Sequence, residues 1–326
     1  MKRRTLIGLL GAAALAPLAA RAEKVPVRIG WLAAGAAGSP NDVALGDALK
    51  QGLREVGLRE GKDYILEARF AAGRYERFPE LARELAQSGV RVILVNTIAG
   101  AHAAQSITPP IPIVMLSIND PVGSGLVESL ARPGRHTTGM ATLNEDLTPK
   151  IIELQREIVP QLKSIAVIFN PSNPSNPPFT DRLRTVARGF GIQVLPFGLK
   201  SPDNLEQVLA DIARQSPDTL QIVADSGIID LNDKIAAFAL ANRIPSFSTV
   251  SAYAEFGGLL SYGISLRELS IRSGYFVRRI LDGIDPGELP VEQPTRLYLV
   301  INLKTARGLG VSLPPLLLSR ADHVIE

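Results

Sequence analysis

From Val25 onward the chain alternates short β-branched runs with amphipathic segments, the sequence form of repeated βαβ units around parallel sheets. Val27 to Ala33 reads as the first strand, and Asn41 to Val56 follows it with Leu45, Leu49, Leu53 and Val56 on one helical stripe. Further strands are expected at Ile65 to Ala68, Val92 to Val95 and Ile113 to Leu116, with helices at Phe78 to Gln87 and Ile98 to Ser106. The pattern then restarts. Helices at Pro149 to Val159, Phe179 to Phe190 and Leu231 to Ala241 alternate with strands at Ile165 to Phe169, Gln193 to Leu195, Leu220 to Ala224, near Ser246, and at Leu259 to Tyr262. Asp203 and Glu206 stand at capping-box spacing ahead of Leu205, Val208, Leu209 and Ile212, and Ser265 with Glu268 opens a helix to Leu281 that Asp282-Gly283 can end. A last strand at Leu297 to Ile301 precedes a short helix at Lys304 to Leu309.

Two similar series imply two α/β lobes, each a Rossmann-like unit with a parallel sheet, and 326 residues suit two domains better than one core. Asp285 to Pro294 is rich in Pro and Gly and reads as a linker, so the carboxy-terminal segments are expected to cross back between lobes. The expected division is residues 23–143 with 264–296 in one lobe and 144–263 with 297–326 in the other, the ligand cleft lying between them and several crossovers forming the hinge.

Lys2, Arg3 and Arg4, an apolar run from Leu6 to Ala20 and the small-x-small site Ala20-Arg21-Ala22 read as a cleavable signal peptide over residues 1–22, for Sec or twin-arginine export. The run is shorter than the roughly 20 residues a membrane-spanning helix needs. Removing Lys2, Arg3, Arg4 and Arg21 from the 35 basic residues leaves 31 against 32 acidic, so the body carries no basic excess and nucleic acid is not an expected partner. With no cysteine, disulfides, thiolate chemistry and a lipidated cysteine are excluded. The expected location is the periplasm and the expected state a monomer.

Ligands of open parallel sheets bind beyond the carboxyl ends of the strands, where the following helices point their positive ends. Val95 is followed by Asn96 and Thr97, Leu116 by Ser117, Asn119 and Asp120, Phe169 by Asn170, and Ala224 by Asp225 and Ser226. These hydroxyls, amides and carboxylates suit a zwitterion or another compact polar solute held between lobes, although the same residue types also cap helices and form turns. Asp120 and Asp225 are the strongest candidates, because an ammonium needs a carboxylate. Tyr75, Tyr253 and Tyr262 are candidate pocket walls, whereas Trp31 reads as core.

Gly35-Ala36-Ala37-Gly38-Ser39 lacks both dinucleotide and P-loop spacing and reads as a flexible cleft loop. His102, His136 and His323 are scattered without metal-ligand spacing, and no G-x-S-x-G elbow is present. No cofactor, metal or catalysis is therefore expected.

The chain resembles ABC-transporter substrate-binding proteins of the type I periplasmic fold, in the group with tryptophan- and other aromatic amino-acid-binding members. The resemblance runs over the mature chain. It is carried by Ile113-Pro-Ile-Val, Asn119-Asp-Pro-Val-Gly-Ser-Gly-Leu-Val, Leu130-Ala-Arg-Pro-Gly, Thr138-Gly139, Asn170-Pro171, Ser261-Tyr-Gly, Ile280-Leu-Asp-Gly and Leu289-Pro-Val-Glu-Gln-Pro-Thr. The most specific piece is the tail Leu299-Val-Ile-Asn-Leu-Lys-Thr-Ala with Leu309-Gly and Ala321-Asp. It implies a solute held by residues matching Thr97, Asp120, Asn170, Asp225 and Tyr262, delivered to an ABC permease without reaction. A sensory subunit or a hydrolase on the same fold are the competing functions. The loop Ala33 to Asn41 lacks the aromatic or histidine residues of amino-acid-binding relatives, and Arg135-His136 replaces a common Gly-Asn pair, so the implied ligand is a small organic solute, with an amino acid among the candidates.

Overall fold

The computed structural model describes residues 25–142 and 144–326, and two sheets organise them. The signal-peptide expectation falls on residues 1–22, outside the described residues. In the first sheet β1 (Val27–Ala33), β2 (Tyr64–Phe70), β3 (Val92–Val95), β4 (Ile113–Asn119) and β5 (Thr137–Thr142) lie parallel in the order β2-β1-β3-β4-β5. The second contains β6 (Ser164–Phe169), β7 (Gln193–Gly198), β8 (Thr219–Ile222), β9 (Ser246–Val250), β10 (Leu260–Ile264), β11 (Tyr298–Asn302) and β12 (His323–Ile325), in the order β12-β11-β10-β9-β8-β6-β7. All its pairs are parallel except β10 with β11. From β7 to β10 the second sheet repeats the winding of the first, so each has a point at which the strand order reverses, β1/β3 in one and β6/β8 in the other. The expected α/β class with two Rossmann-like sheets is the observed one.

Helices α1 (Pro40–Glu55), α2 (Phe78–Gln87) and α3 (Ile98–Gln105) cover the first sheet; α4 (Thr148–Ile158), α5 (Asn176–Arg188), α6 (Leu205–Gln215), α7 (Ser226–Ile229) and α8 (Asn232–Ala241) belong to the second. Next comes α9 (Leu266–Leu281), then α10 (Leu303–Leu309) and α11 (Pro315–Ser319). Although α9 follows β10, its Leu269, Phe276, Val277 and Ile280 pack with Ile29, Leu49 and Leu53 under the first sheet. The chain thus passes between the sheets three times: after β5, between β10 and α9, and before β11.

Helix α9 can lie this close to α1 because glycines form the crossing. A Cβ on Gly52 would sit 1.9 Å from the Ile271 carbonyl oxygen, and one on Gly274 would sit 2.4 Å from the Gly52 carbonyl carbon. Ser265 accepts from the Glu268 N–H at 3.3 Å and caps α9 as expected. At α6 the expectation fails: the helix begins at Leu205, and the Ser201 N–H donates to the Asn204 side chain at 3.0 Å, so a Pro202–Asn204 turn displaces the Asp203–Glu206 box. The Asp285 to Pro294 segment is pinned rather than loose. Thr138 Oγ1 donates to the Leu289 carbonyl at 2.7 Å, and Glu292 bridges to Met140 beside β5.

Gly274→Ala should lower stability by about 1–3 kcal/mol, the usual range for inserting volume into a closed helix crossing. Urea denaturation checks it: the midpoint should fall with the slope unchanged.

Candidate functional site

A cavity of about 650 Å³, counting its open mouth, lies between the carboxyl ends of the two sheets. Its polar lining from the first lobe is Asn96 and Thr97 after β3, Ser117 and Asn119 at the end of β4, Thr142 at the end of β5, and Ser270 of α9. The second lobe supplies Asn144, Asn173, Ser175, Asp225 and Ser226. Aliphatic walls come from Leu45, Leu116, Ile229, Val250, Ile264 and Leu266. Among the described residues, no aromatic or basic side chain lines this space. The strand-order reversal explains the location, because the connections on either side of it leave in opposite directions and open a crevice at the strand tips.

Local backbone geometry aims several of these groups. Between the pairs Met115–Gly139 and Ile118–Ala141, two residues of β4 oppose one of β5, a bulge at Leu116–Ser117 that turns both into the cavity. Gly139 permits it: at φ +125° a Cβ would lie 2.2 Å from the Met115 carbonyl oxygen. Thr97 is the N-cap of α3, its hydroxyl accepting from the Gly100 N–H at 3.1 Å. The N–H groups of Ile98 and Ala99 in the first turn have no acceptor within the helix, and Ile98 lines the cavity. Asn96 Oδ1 accepts from the Ala34 N–H at 3.2 Å, which ties the cavity wall to the loop after β1.

Asp225 is the most enclosed charged group of the site, 3% exposed, and its acceptor positions are met by the chain itself. Oδ1 accepts from the Gly227 and Ile228 N–H groups at 2.9 and 3.1 Å, capping α7. Oδ2 accepts from Tyr75 Oη at 2.6 Å and Asn173 Nδ2 at 2.8 Å, while Asn170 Nδ2 reaches both oxygens at 3.5 Å. Burial, then the negative charge of Asp225, pushes the Tyr75 phenol well above its ordinary value of 10.0, so Tyr75 is a neutral donor. Tyr75 belongs to the first lobe and Asp225 to the second, so this bond spans the cleft.

A second bridge stands beside it. Asp230 accepts from the Ala36 N–H at 2.6 Å and from Ser39 Oγ at 2.7 Å, both on the loop after β1. Across the mouth Arg74 pairs with Asp203 at 2.9 Å, and a Cβ on Gly227 would come 3.1 Å from the Gly73 Cα. Gly35-Ala36-Ala37-Gly38-Ser39 is therefore docked on the opposite lobe.

Of the residues read from sequence, the structure brings Asn96, Thr97, Ser117, Asp225 and Ser226 to the cavity wall. Tyr75 and Asn170 stand one layer behind, on Asp225. Three residues lie elsewhere. Asp120 is exposed at φ +42°, its carboxylate accepting from the Gly123 N–H at 2.8 Å in a turn. Tyr253 is 0% exposed in the core beneath α8, because the turn after β9 folds its ring over Gly258. Tyr262 packs against the Leu154, Phe247 and Leu299 cluster. Asn119, named from sequence among the groups after a strand, also lines the cavity, whereas sequence reasoning missed the lining roles of Thr142, Asn144 and Asn173. Asn119 organises its corner: Oδ1 accepts from the Asn144 N–H at 2.7 Å, and Nδ2 donates to both Glu145 oxygens at 2.8 and 2.9 Å. Its sequence signal was its position beside Asp120 after a strand.

No group of three or more His, Cys, Asp or Glu that could hold a metal occurs among the described residues, and no helix among them is long and apolar enough to cross a membrane.

The family described as ABC transporter substrate binding protein matches residues 40–325. A tyrosine-binding protein of Clostridioides difficile (strain R20291) is 26% identical over 260 residues, covering 79% of this chain and 74% of that protein. The crystal structure of a conserved domain protein from Vibrio cholerae O1 biovar El Tor is 27% identical with a TM-score of 0.84, over 91% of this chain and 99% of the other. An ABC domain from Streptococcus pneumonia, solved in complex with L-Trp, is 23% identical with a TM-score of 0.83, over 92% and 100%.

Burial raises the Asp230 carboxyl above its ordinary value of 3.8, outweighing the lowering bonds from Ala36 and Ser39, with Asp42 and Asp225 adding to the rise. The folded protein therefore keeps a proton on Asp230 at pH values where the unfolded chain has released it. That contribution to stability is complete below 3.8 and is lost as pH rises through the folded value. Asp230→Asn does not titrate, so the melting-temperature difference, wild type minus variant, should grow more positive from about pH 7 to about pH 4. Thermal melts across that range check it; a flat difference contradicts the shift.

Proposed function

Because the chain belongs to the family of ABC transporter substrate-binding proteins, we propose that it is the exported receptor of an ABC importer, binding one small, net-neutral amino acid in the periplasm and delivering it to the membrane permease. The observation that carries this reading is the composition of the cleft: neutral donors and acceptors from both lobes around an aliphatic wall, without a basic side chain among the described lining residues.

Such a lining suits a ligand that brings both charges with it. The carboxylate fits at Thr97 and the free N–H groups of α3, where partial positive charge needs no lysine or arginine. The ammonium fits toward Ser117, Asn119 and Thr142, with the Glu145 carboxylate behind Asn119 and Asp225 across the cavity providing negative potential. Leu45, Leu116, Val250 and Ile264 receive the side chain; burying roughly 100 Å² of it is worth about 2.5 kcal/mol, against the approximately 8 kcal/mol that micromolar affinity requires. The polar ends and the exclusion of water must supply the rest.

The tyrosine-binding protein and the L-Trp complex among the relatives support an amino acid as the ligand class. In this reading residues 1–22 are a cleavable signal peptide, the mature protein acts as a monomer, and nothing is catalysed: no histidine stands beside Ser117, Ser226 or Ser270 in the described lining to activate a hydroxyl. Nucleic acid has no place in it, since the body lacks basic excess.

Thermal-shift and calorimetric titration of the mature chain with the proteinogenic amino acids test the reading, which predicts saturable one-to-one binding by a subset of neutral members. Thr97→Ala and Asn119→Ala should each weaken that binding about ten- to hundredfold, the cost of losing a hydrogen bond to a charged group. If no amino acid binds, the proposed solute class is wrong.

A further inference from the structure

Besides the exposed Asp203, which pairs with Arg74, two more enclosed carboxylates of the second lobe receive donors from the first. Asp225 is already held there by Asn173 and by the Gly227 and Ile228 N–H groups, and its remaining acceptor position takes Tyr75 Oη. Both donors recorded on Asp230 come from the first lobe, the Ala36 N–H and the Ser39 hydroxyl. The two donor loops form one unit, since the Ala72 and Gly73 N–H groups donate to the Gly35 and Ala34 carbonyls at 3.0 and 2.7 Å. Asn96 connects that unit to the cavity. One part of this side chain fixes Ala34, while the residue lines the space where the solute would lie. Neither Tyr75 nor Asp230 lines that space, nor do Ala36 and Ser39.

We infer that Tyr75 and the Ser39–Asp230 pair are closure determinants: they set how long the cleft stays shut around any solute, without touching the solute. This rests on the reading of the cleft as the solute site. An open cleft returns Asp230, Ser39 and the Tyr75 hydroxyl to water, so each bond is made on closing and adds to the differential stability of the closed state. Such bonds act on dissociation, because a solute leaves only after the lobes part. A residue touching the solute behaves differently, since its loss changes some solutes more than others.

Tyr75→Phe retains the ring and removes only the hydroxyl; Ser39→Ala breaks the second bridge independently. Each variant should raise the dissociation rate about tenfold for every amino acid that binds, with association rates within about twofold and the affinity order unchanged. A changed order would place the residue on the solute, and an unchanged dissociation rate would remove it from closure; either overturns the inference. The cysteine-free chain gives a second readout needing no solute. Spin labels at Glu76→Cys and Lys200→Cys, exposed positions on opposite sides of the mouth, should show a distance distribution moved to longer values in ligand-free Tyr75→Phe and Ser39→Ala. An identical distribution in both also overturns it. If no amino acid binds but the labels separate in the variants, the solute class fails while the closure assignment stands.

Discussion

A carboxylate at 3% exposure is costly unless its lone pairs are met, and Asp225 meets this condition only with the two lobes together. Three of its four close donors belong to its own lobe, so the group is fixed in place before the lobes meet. The fourth is the Tyr75 hydroxyl from across the cleft. The rest of the site follows from that demand. Asp225 caps α7, α7 places Ser226 and Ile229 on the cavity wall, and the Tyr75 contact brings Gly73 against Gly227 where larger residues would hold the lobes apart.

The parallel sheets set this arrangement up. Two windings of the same order bring their strand tips to one gap, and the tips are the only part of a doubly wound sheet where backbone N–H groups and small polar side chains face outward together. That is why the sequence located much of the wall without any knowledge of contacts. Asn96, Thr97, Ser117, Asp225 and Ser226 were each legible as the residue following a strand. The sheets and most helices were legible from periodicity.

What could not be read has physical causes. Strand β5, Thr-Thr-Gly-Met-Ala-Thr, has no run of aliphatic β-branched residues, yet it is buried throughout because α9 and the Leu289–Glu292 segment cover it, a contact separated by about 150 residues of chain. Missing β5 hid Thr142. Ending β4 at Leu116 hid the bulge, and with it the inward turn that brings Asn119 against Asn144 and Glu145. Asp120 drew attention as a free acid after a strand, but its left-handed backbone commits its carboxylate to Gly123. Tyr253 and Tyr262 carry the same chemistry as Tyr75. Their places in the second-lobe core depend on which face of a strand or turn they occupy, and a β-bulge between β9 and β10, where Gly263 sits against the Thr249 carbonyl, makes that unreadable from alternation near Tyr262.

Asp225 also changes role between sequence and structure, and the change bears on selectivity. As an isolated acid in a cleft it looks like the anchor of a cationic ligand. With four donors at 2.6–3.1 Å it has no acceptor position left for an ammonium, so its charge acts on the solute only as a field across the cavity. A solute carrying uncompensated positive charge would lose its hydration without gaining a direct carboxylate partner there, and an uncompensated anion would meet no basic side chain in the described lining. The two disfavours have separate causes: the chain has used its strongest acceptor to join its two halves, and the described lining holds no basic side chain. Under the proposed function, the cleft that remains would discriminate through matched dipoles and aliphatic shape, in favour of a molecule whose opposite charges are fixed a few bonds apart.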